Sequence, residues 1–266
     1  MRSQFCYSRN SIPRMTVSML VLRSLLFNLA FYVNIVLWMI LALPTLLMPR
    51  PALLWIVKNW ARVNIFLMRH IAGITCEIRG RENLPPGPVL VAAKHQSTWD
   101  IFAMFLICED PCYVLKRELM WLPVFGWLAA KAQMIAVNRG ARSRAMKQMK
   151  ADGERELARG RQIVIFPEGT RRAPAAEPAY KYGVVYLYSE FDVPCVPVAL
   201  NSGHFWPRRQ FIRQPGRLVM EILPAIPAGQ DKTVFFERLV DDIETASDRL
   251  LAEARDPPAP EQTRIA

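Results

Sequence analysis

Residues able to build a metal or redox centre are scarce in this 266-residue chain. Its five cysteines (Cys6, Cys76, Cys108, Cys112 and Cys195) are odd in number, with no Cys-x2-Cys pair and no accompanying His or Cys cluster. They read as reduced thiols facing a cytosolic compartment. Cys108 and Cys112 lack further ligands at suitable spacing, so no metal site is expected. There is no Gly-x-Ser-x-Gly elbow, the usual setting of an acyl-serine nucleophile, and no internal repeat or low-complexity region. Acidic residues are also in short supply, 23 against 34 Lys+Arg, for a net charge of +11. Such a chain is drawn to phosphorylated ligands, acidic lipid headgroups or nucleic acid, and charge alone does not choose among them.

Apolar residues, by contrast, make up 52% of the chain. They are concentrated near the N-terminus, where residues 24–48 carry no formal charge and are long enough to cross a bilayer, which needs about 20 residues. That length exceeds the apolar core of a cleaved signal peptide, about 7–15 residues. After Pro49-Arg50-Pro51, residues 52–71 intersperse Leu, Ile, Val and Phe with Lys58, Arg62 and Arg69, the pattern of an interfacial amphipathic helix. Basic residues flank the first segment on both sides, so the positive-inside rule assigns no orientation. A hairpin dipping into one leaflet, both ends cytoplasmic, fits that balance better than a full span. Met15 and Met19 are alternative starts. The length allows one catalytic domain plus an anchor. The expected division is an anchor over 1–72, a catalytic domain over 73–255 and a disordered, proline-containing tail over 256–266.

Beyond residue 73 short β-rich runs alternate with helical ones, which predicts an α/β domain with a central sheet flanked by helices. The expected strands are 74–78, 89–93, 113–115, 134–137, 162–166, 195–200 and 218–223. Helical periodicity covers 101–107, 121–131, 142–159, 181–190 and 234–253, the last with Phe235, Leu239, Ile243, Ala246 and Leu250 on one stripe.

Three clusters lie just past expected strands, where open α/β sheets bind ligands. In His95-Gln96-Ser97-Thr98-Trp99-Asp100, the imidazole can take a proton from an alcohol and the carboxylate can fix its tautomer. A surface histidine beside a helix-capping aspartate fits the pair equally well. In Phe166-Pro167-Glu168-Gly169-Thr170-Arg171, a glycine lets backbone approach an anion, a hydroxyl follows, and the arginine offers a planar fork for phosphate; the alternative is a turn with a surface arginine. In Val137-Asn138-Arg139-Gly140, Arg139 can meet the same phosphate.

In this order the clusters resemble the four blocks of the 1-acyl-glycerol-3-phosphate acyltransferase (lysophosphatidic acid acyltransferase) family, over residues 80–200. The blocks are the His-x4-Asp box at His95 to Asp100; Lys116-Arg117-Glu118-Leu119 through Pro123 and Gly126 to Arg139; Phe166 to Arg171; and Val196-Pro197-Val198-Ala199. Lys181 and Gly183 fit the Lys-x-Gly that follows the third block. The resemblance implies the glycerolipid acyltransferase fold with an N-terminal hydrophobic anchor, His95 as general base and Asp100 as its orienting partner. It further implies an acceptor phosphate held among Arg139, Glu168, Gly169, Thr170 and Arg171, with Lys116, Arg117, Lys181 and Pro197 as donor or acyl-chain contacts. The chain departs from the pattern at Asn138, where many members have Asp, and at Arg172, where Ser is frequent.

The implied reaction moves an acyl group from a thioester, acyl-CoA or acyl-carrier protein, to a lysophospholipid hydroxyl, with no cofactor and with membrane lipids as partners. Ser97 is the rival nucleophile. The basic run 139–161 suits acidic headgroups, an acyl-carrier protein or simple solvation, and beside a membrane anchor no nucleic-acid partner is expected. Acylation of another lysolipid, such as lyso-ornithine lipid, a lipid hydrolase and a non-catalytic membrane scaffold are the competing functions.

Overall fold

The computed structural model describes residues 16–138 and 142–256. Within them, seven apolar runs form strands: β1 Ile74–Arg79, β2 Val89–Ala93, β3 Pro111–Lys116, β4 Ile135–Val137, β5 Gln162–Ile165, β6 Cys195–Leu200 and β7 Gly216–Ile222. Every expected strand is found, its ends shifted by two residues or fewer. The sheet order is β1-β7-β6-β2-β5-β3-β4. All neighbours are parallel except β6 and β7, so the sheet is mixed. Every residue of β2 is buried. Val89, Val91 and Ala93 face one core while Leu90 and Ala92 face the other, the period-2 alternation of a strand covered on both sides.

Among the described residues, eight α-helices cover the two faces: α1 Val17–Ala42, α2 Arg50–Leu67, α3 Trp99–Ile107, α4 Phe125–Lys131, α5 Arg142–Leu157, α6 Gly183–Glu190, α7 Ser202–Phe205 and α8 Lys232–Arg255. Phe235, Leu239 and Ile243 of α8 pack with α6 on one face, and the Tyr188 and Phe235 rings stack at 3.6 Å. One expected helix is broken. Of residues 121–131 only Phe125–Lys131 is α-helical, as α4, while Trp121 closes a 3₁₀ turn at Arg117–Trp121, because Pro123 disfavours helical backbone at the residue before it, and Val124 takes a φ of 63°. The break brings Gly126 so close to the Met120 carbonyl that a Cβ there would sit 2.0 Å from the oxygen.

The N-terminal helices pack against the domain that carries the sheet. α1 begins at Val17, capped by the Thr16 hydroxyl, seven residues before the expected start, because Arg23 turns inward and donates to the Ile71 carbonyl at 2.7 Å. The α1–α2 pair is antiparallel: Arg23 meets Ile71, and Asn34 bonds Asn64 at 3.2 Å. Phe27 and Phe31 enter the core of the domain, with edge-on contacts to Trp206 at 5.1 and 4.8 Å. At the other end of the hairpin, Lys131 donates to the Leu46 carbonyl and Arg50 pairs with Asp110. Two basic residues of α2 turn toward the domain. Arg50 and Lys58 face the domain, Lys58 donating to the carbonyls of Cys108 and Glu109, where they cap the end of α3.

Candidate active site

Parallel pairing aligns three strand ends. Ala92 lies beside Ile165 of β5 and Pro197 of β6, so β5, β2 and β6 open onto one edge. The chain leaving β2 stays inside, with Lys94, His95, Gln96, Ser97 and Asp100 all buried. Asp100, in the first turn of α3, folds back over the preceding loop. Its Oδ2 accepts from His95 Nδ1 at 3.0 Å, Gln96 N at 2.7 Å and Ser97 N at 2.8 Å. Its Oδ1 accepts from Ser202 Oγ at 2.5 Å. The capping reading and the catalytic reading thus describe one carboxylate. It ties down the turn and also holds the imidazole. An ionised carboxylate only accepts, so His95 carries its proton on Nδ1 and leaves Nε2 as the basic atom. The ring stacks on Phe166 at 4.1 Å and keeps 11% of its surface open.

Ser202 went unrecognised in the sequence. It belongs to no motif, although polar residues directly after the apolar run of β6, at a strand's C-terminal end, are a signal of this kind. The same short helix gives a second bond, Gly203 N to Gln96 Oε1 at 3.0 Å. Ser97, the rival nucleophile, is fully buried and its hydroxyl accepts from Trp99 N at 3.2 Å. That makes it a turn-stabilising group.

The loop after β5 wraps the other side of His95. Glu168, expected at the acceptor phosphate, is turned inward instead. Its side chain is wholly buried; Oε2 accepts from His95 N at 3.3 Å and Oε1 lies 3.4 Å from Lys94 Nζ. A carboxylate in this place repels phosphate and supports the loop carrying His95. Burial raises its pKa above the usual carboxylate range against the pull of Lys94. Lys94 is held in turn by Glu244 of α8 at 2.5 Å, whose carboxylate also accepts from Tyr180. Gly169 adopts φ +67°, the left-handed backbone that a glycine permits, and Thr170 is exposed. Arg171 donates to the Thr98 hydroxyl at 2.6 Å, and Arg172 N to the His95 carbonyl at 2.8 Å. Burial, followed by the charge of Arg208, holds the Arg171 guanidinium below its ordinary pKa.

The other expected contacts are more dispersed. Lys116 ends β3, two strands from β2, and with Arg117 it is exposed. Lys181 is exposed as well, its N–H closing the loop on the Pro167 carbonyl at 2.9 Å. Pro197 is corrected from a donor contact to a core residue, since it is buried within β6 and its carbonyl accepts from Leu223 N. β4 ends three strands from β2, about 14 Å at ordinary strand spacing, and Arg139 beyond it lies outside the described residues. Cys108 and Cys112 are buried, and burial pushes each thiol up to about 12, which makes them poor nucleophiles and metal ligands.

The sequence model of the family described as Acyltransferase matches residues 75–201. The 1-acyl-sn-glycerol-3-phosphate acyltransferase of Pseudomonas aeruginosa is 38% identical over 174 residues, which cover 65% of this chain and 68% of that protein. The alpha form of the enzyme from Mus musculus is 28% identical over 207 residues, 75% of this chain and 71% of its own. The crystal structure of the 1-acyl-sn-glycerophosphate acyltransferase from Thermotoga maritima superposes with a TM-score of 0.71 over 87% of this chain and 97% of that one. At 19% identity, this likeness shows the fold.

Proposed function

Because this chain belongs to the 1-acyl-sn-glycerol-3-phosphate acyltransferase family, we propose that it moves a fatty acyl group from a thioester donor to the free hydroxyl of 1-acyl-glycerol-3-phosphate, forming phosphatidic acid. The observation that carries the reading is the buried His95–Asp100 pair at 3.0 Å. His95 Nε2 takes the proton of the acceptor hydroxyl as its oxygen bonds to the thioester carbonyl carbon. Asp100 stabilises the imidazolium that forms. When the tetrahedral adduct collapses, the carbon–sulfur bond breaks and the departing thiolate takes the proton from His95. A thioester is already activated, so base catalysis of about 10²–10⁴-fold plus positioning suffices and no cofactor is invoked. Acyl-CoA and acyl-carrier protein both satisfy this chemistry.

The substrates are amphiphiles, and the fold presents a matching surface. Opposite Phe27 and Phe31, α1 exposes Leu22, Leu29, Val36 and Ile40. α1 is apolar and long enough to cross a bilayer, yet the hairpin touches the catalytic domain at both ends. We place this face in one leaflet of a membrane, with the catalytic domain on its cytoplasmic side. Detergent-purified protein should form phosphatidic acid from lysophosphatidic acid and a thioester donor. His95→Ala should lower the rate by about 10²–10⁴-fold. Undiminished synthesis in that variant would overturn the mechanism.

A further inference from the structure

Between α7 and β7 the chain runs along both the apolar helix and the active site. Trp206 packs on Phe27, Phe31 and Phe102, and Arg213 N donates to Ser24 Oγ at 3.0 Å. At the site end, Ser202 and Gly203 bond Asp100 and Gln96. Between these fixed points the segment carries Arg208 and Arg209, both exposed. Arg208 Nη1 donates to the Arg171 carbonyl at 3.0 Å, which sets it against the arginine that bonds Thr98, three residues beyond the base. Neither residue belongs to any of the four blocks.

We propose that Arg208 and Arg209 complete an anion site with Arg171 and take the phosphate of the acceptor, favouring a phosphomonoester over lysolipids whose phosphate carries a headgroup. The proposal rests on the acyltransferase reading and adds to it the residues that select the acceptor. Charge balance is the first ground. Many of the domain's guanidiniums are matched with acids, among them Arg79 with Glu253, Arg161 with Glu156 and Arg249 with Glu221. Among the described residues, Arg171, Arg208 and Arg209 form no ion pair. Asp100 is near enough to act on Arg171, but its oxygens already accept four hydrogen bonds. The mutual repulsion of these cations is relieved by a bound anion. Backbone geometry is the second ground. Arg209 adopts φ 58°, a conformation costly for a residue with a Cβ, and such strain persists where surrounding contacts hold a functional loop.

Distance supplies the third ground. Four bonds separate the free hydroxyl oxygen of a 1-acyl-glycerol-3-phosphate from its phosphorus, so the phosphate must bind close to the base. Arg172 N bonds the His95 carbonyl, which places Arg171 one residue from a direct attachment to the base. A phosphomonoester carries about 1.5 to 2 negative charges at neutral pH against one on a diester, so several guanidiniums discriminate between them.

The test uses the full chain in detergent, with lysophosphatidic acid and lysophosphatidylglycerol as acceptors and acyl-CoA as donor. Arg208→Gln and Arg209→Gln should each raise the KM for lysophosphatidic acid about 10-fold, and the double variant about 100-fold, as expected for losing one or two charge-assisted contacts. The preference over lysophosphatidylglycerol should shrink while the donor KM stays put. Arg217→Gln, which removes a surface cation paired with Glu77 at 3.2 Å, is the control and should leave both KM values unchanged. An unmoved acceptor KM in the double variant overturns the proposal. So does a rise confined to the donor KM, which would assign these cations to the donor's phosphates, or a loss confined to binding of anionic vesicles. Wild-type protein unable to acylate lysophosphatidic acid would instead sink the functional reading itself.

Discussion

Replacing Asp100 by asparagine separates the charge of this side chain from its shape. The amide oxygen, placed where Oδ2 is, can still accept from His95 Nδ1, Gln96 N and Ser97 N. The amino group then faces Ser202, whose hydroxyl can turn from donor to acceptor. No buried polar atom is stranded, so the fold should lose about 1 kcal/mol or less. What disappears is the negative charge 3.0 Å from the developing imidazolium. Two unit charges at that separation, at an effective dielectric of about 20, interact by about 5 kcal/mol. The dipoles of three other donors already compensate part of this charge, and base catalysis as a whole contributes about 10²–10⁴-fold. A fall in kcat of about 10²–10³-fold is therefore expected, equivalent to about 3–4 kcal/mol. Saturating both substrates and following phosphatidic acid measures it, with thermal melting as the fold control. Asp100→Ala is the contrast: it strands Gln96 N, Ser97 N and Ser202 Oγ, and should melt well below the asparagine variant. If Asp100→Asn folds normally and keeps more than about a tenth of wild-type kcat, the carboxylate is a structural cap and the mechanism is wrong.

Three further outcomes follow from the same contacts. Ser97→Ala removes the acceptor of the Trp99 N–H and should cost about 0.5–2 kcal/mol in stability while leaving turnover within about tenfold; abolished turnover in folded protein would revive an acyl-serine route. Gly80 combines φ +69° with a Cβ position only 2.1 Å from the Ile222 carbonyl, so Gly80→Ala should lower the melting temperature by more than the effect of strain alone, about 1 kcal/mol; an unchanged melt contradicts the packing of β1 beside β7. For Asp110, burial alone would raise the pKa, but Arg50 and Arg161 outweigh it and hold the carboxyl below its usual range. Its contribution should be complete above that range and vanish as pH falls through about 4 toward the depressed folded value. Melting curves of wild type and Asp110→Asn should therefore converge on acidification. A constant gap would exclude the hairpin-to-domain ion pair as the cause.

The sequence by itself determined where the strands lie and singled out His95 and Asp100 as a candidate pair. Short apolar runs set off by turn residues are local signals, and His95 and Asp100 sit close enough in the chain to be read as a pair. The long apolar run of α1 is equally plain, although the charge of Arg23 masks its first two turns; that half-buried guanidinium bonds the Ile71 carbonyl. Tertiary structure alone decided what depends on side chains distant in sequence. Pairing of β2 with β5 and β6 turned Glu168 from a presumed phosphate contact into a buried support of the His95 loop, through Lys94 and Glu244 of α8. It put Pro197 into the core, delivered Ser202 to Asp100 across 102 positions, and set Arg208 beside Arg171. Hydrophobic periodicity reports which face of an element is covered, but not which element covers it. The strand order and the partners of buried charges are settled only when the sheet and both helical layers pack together.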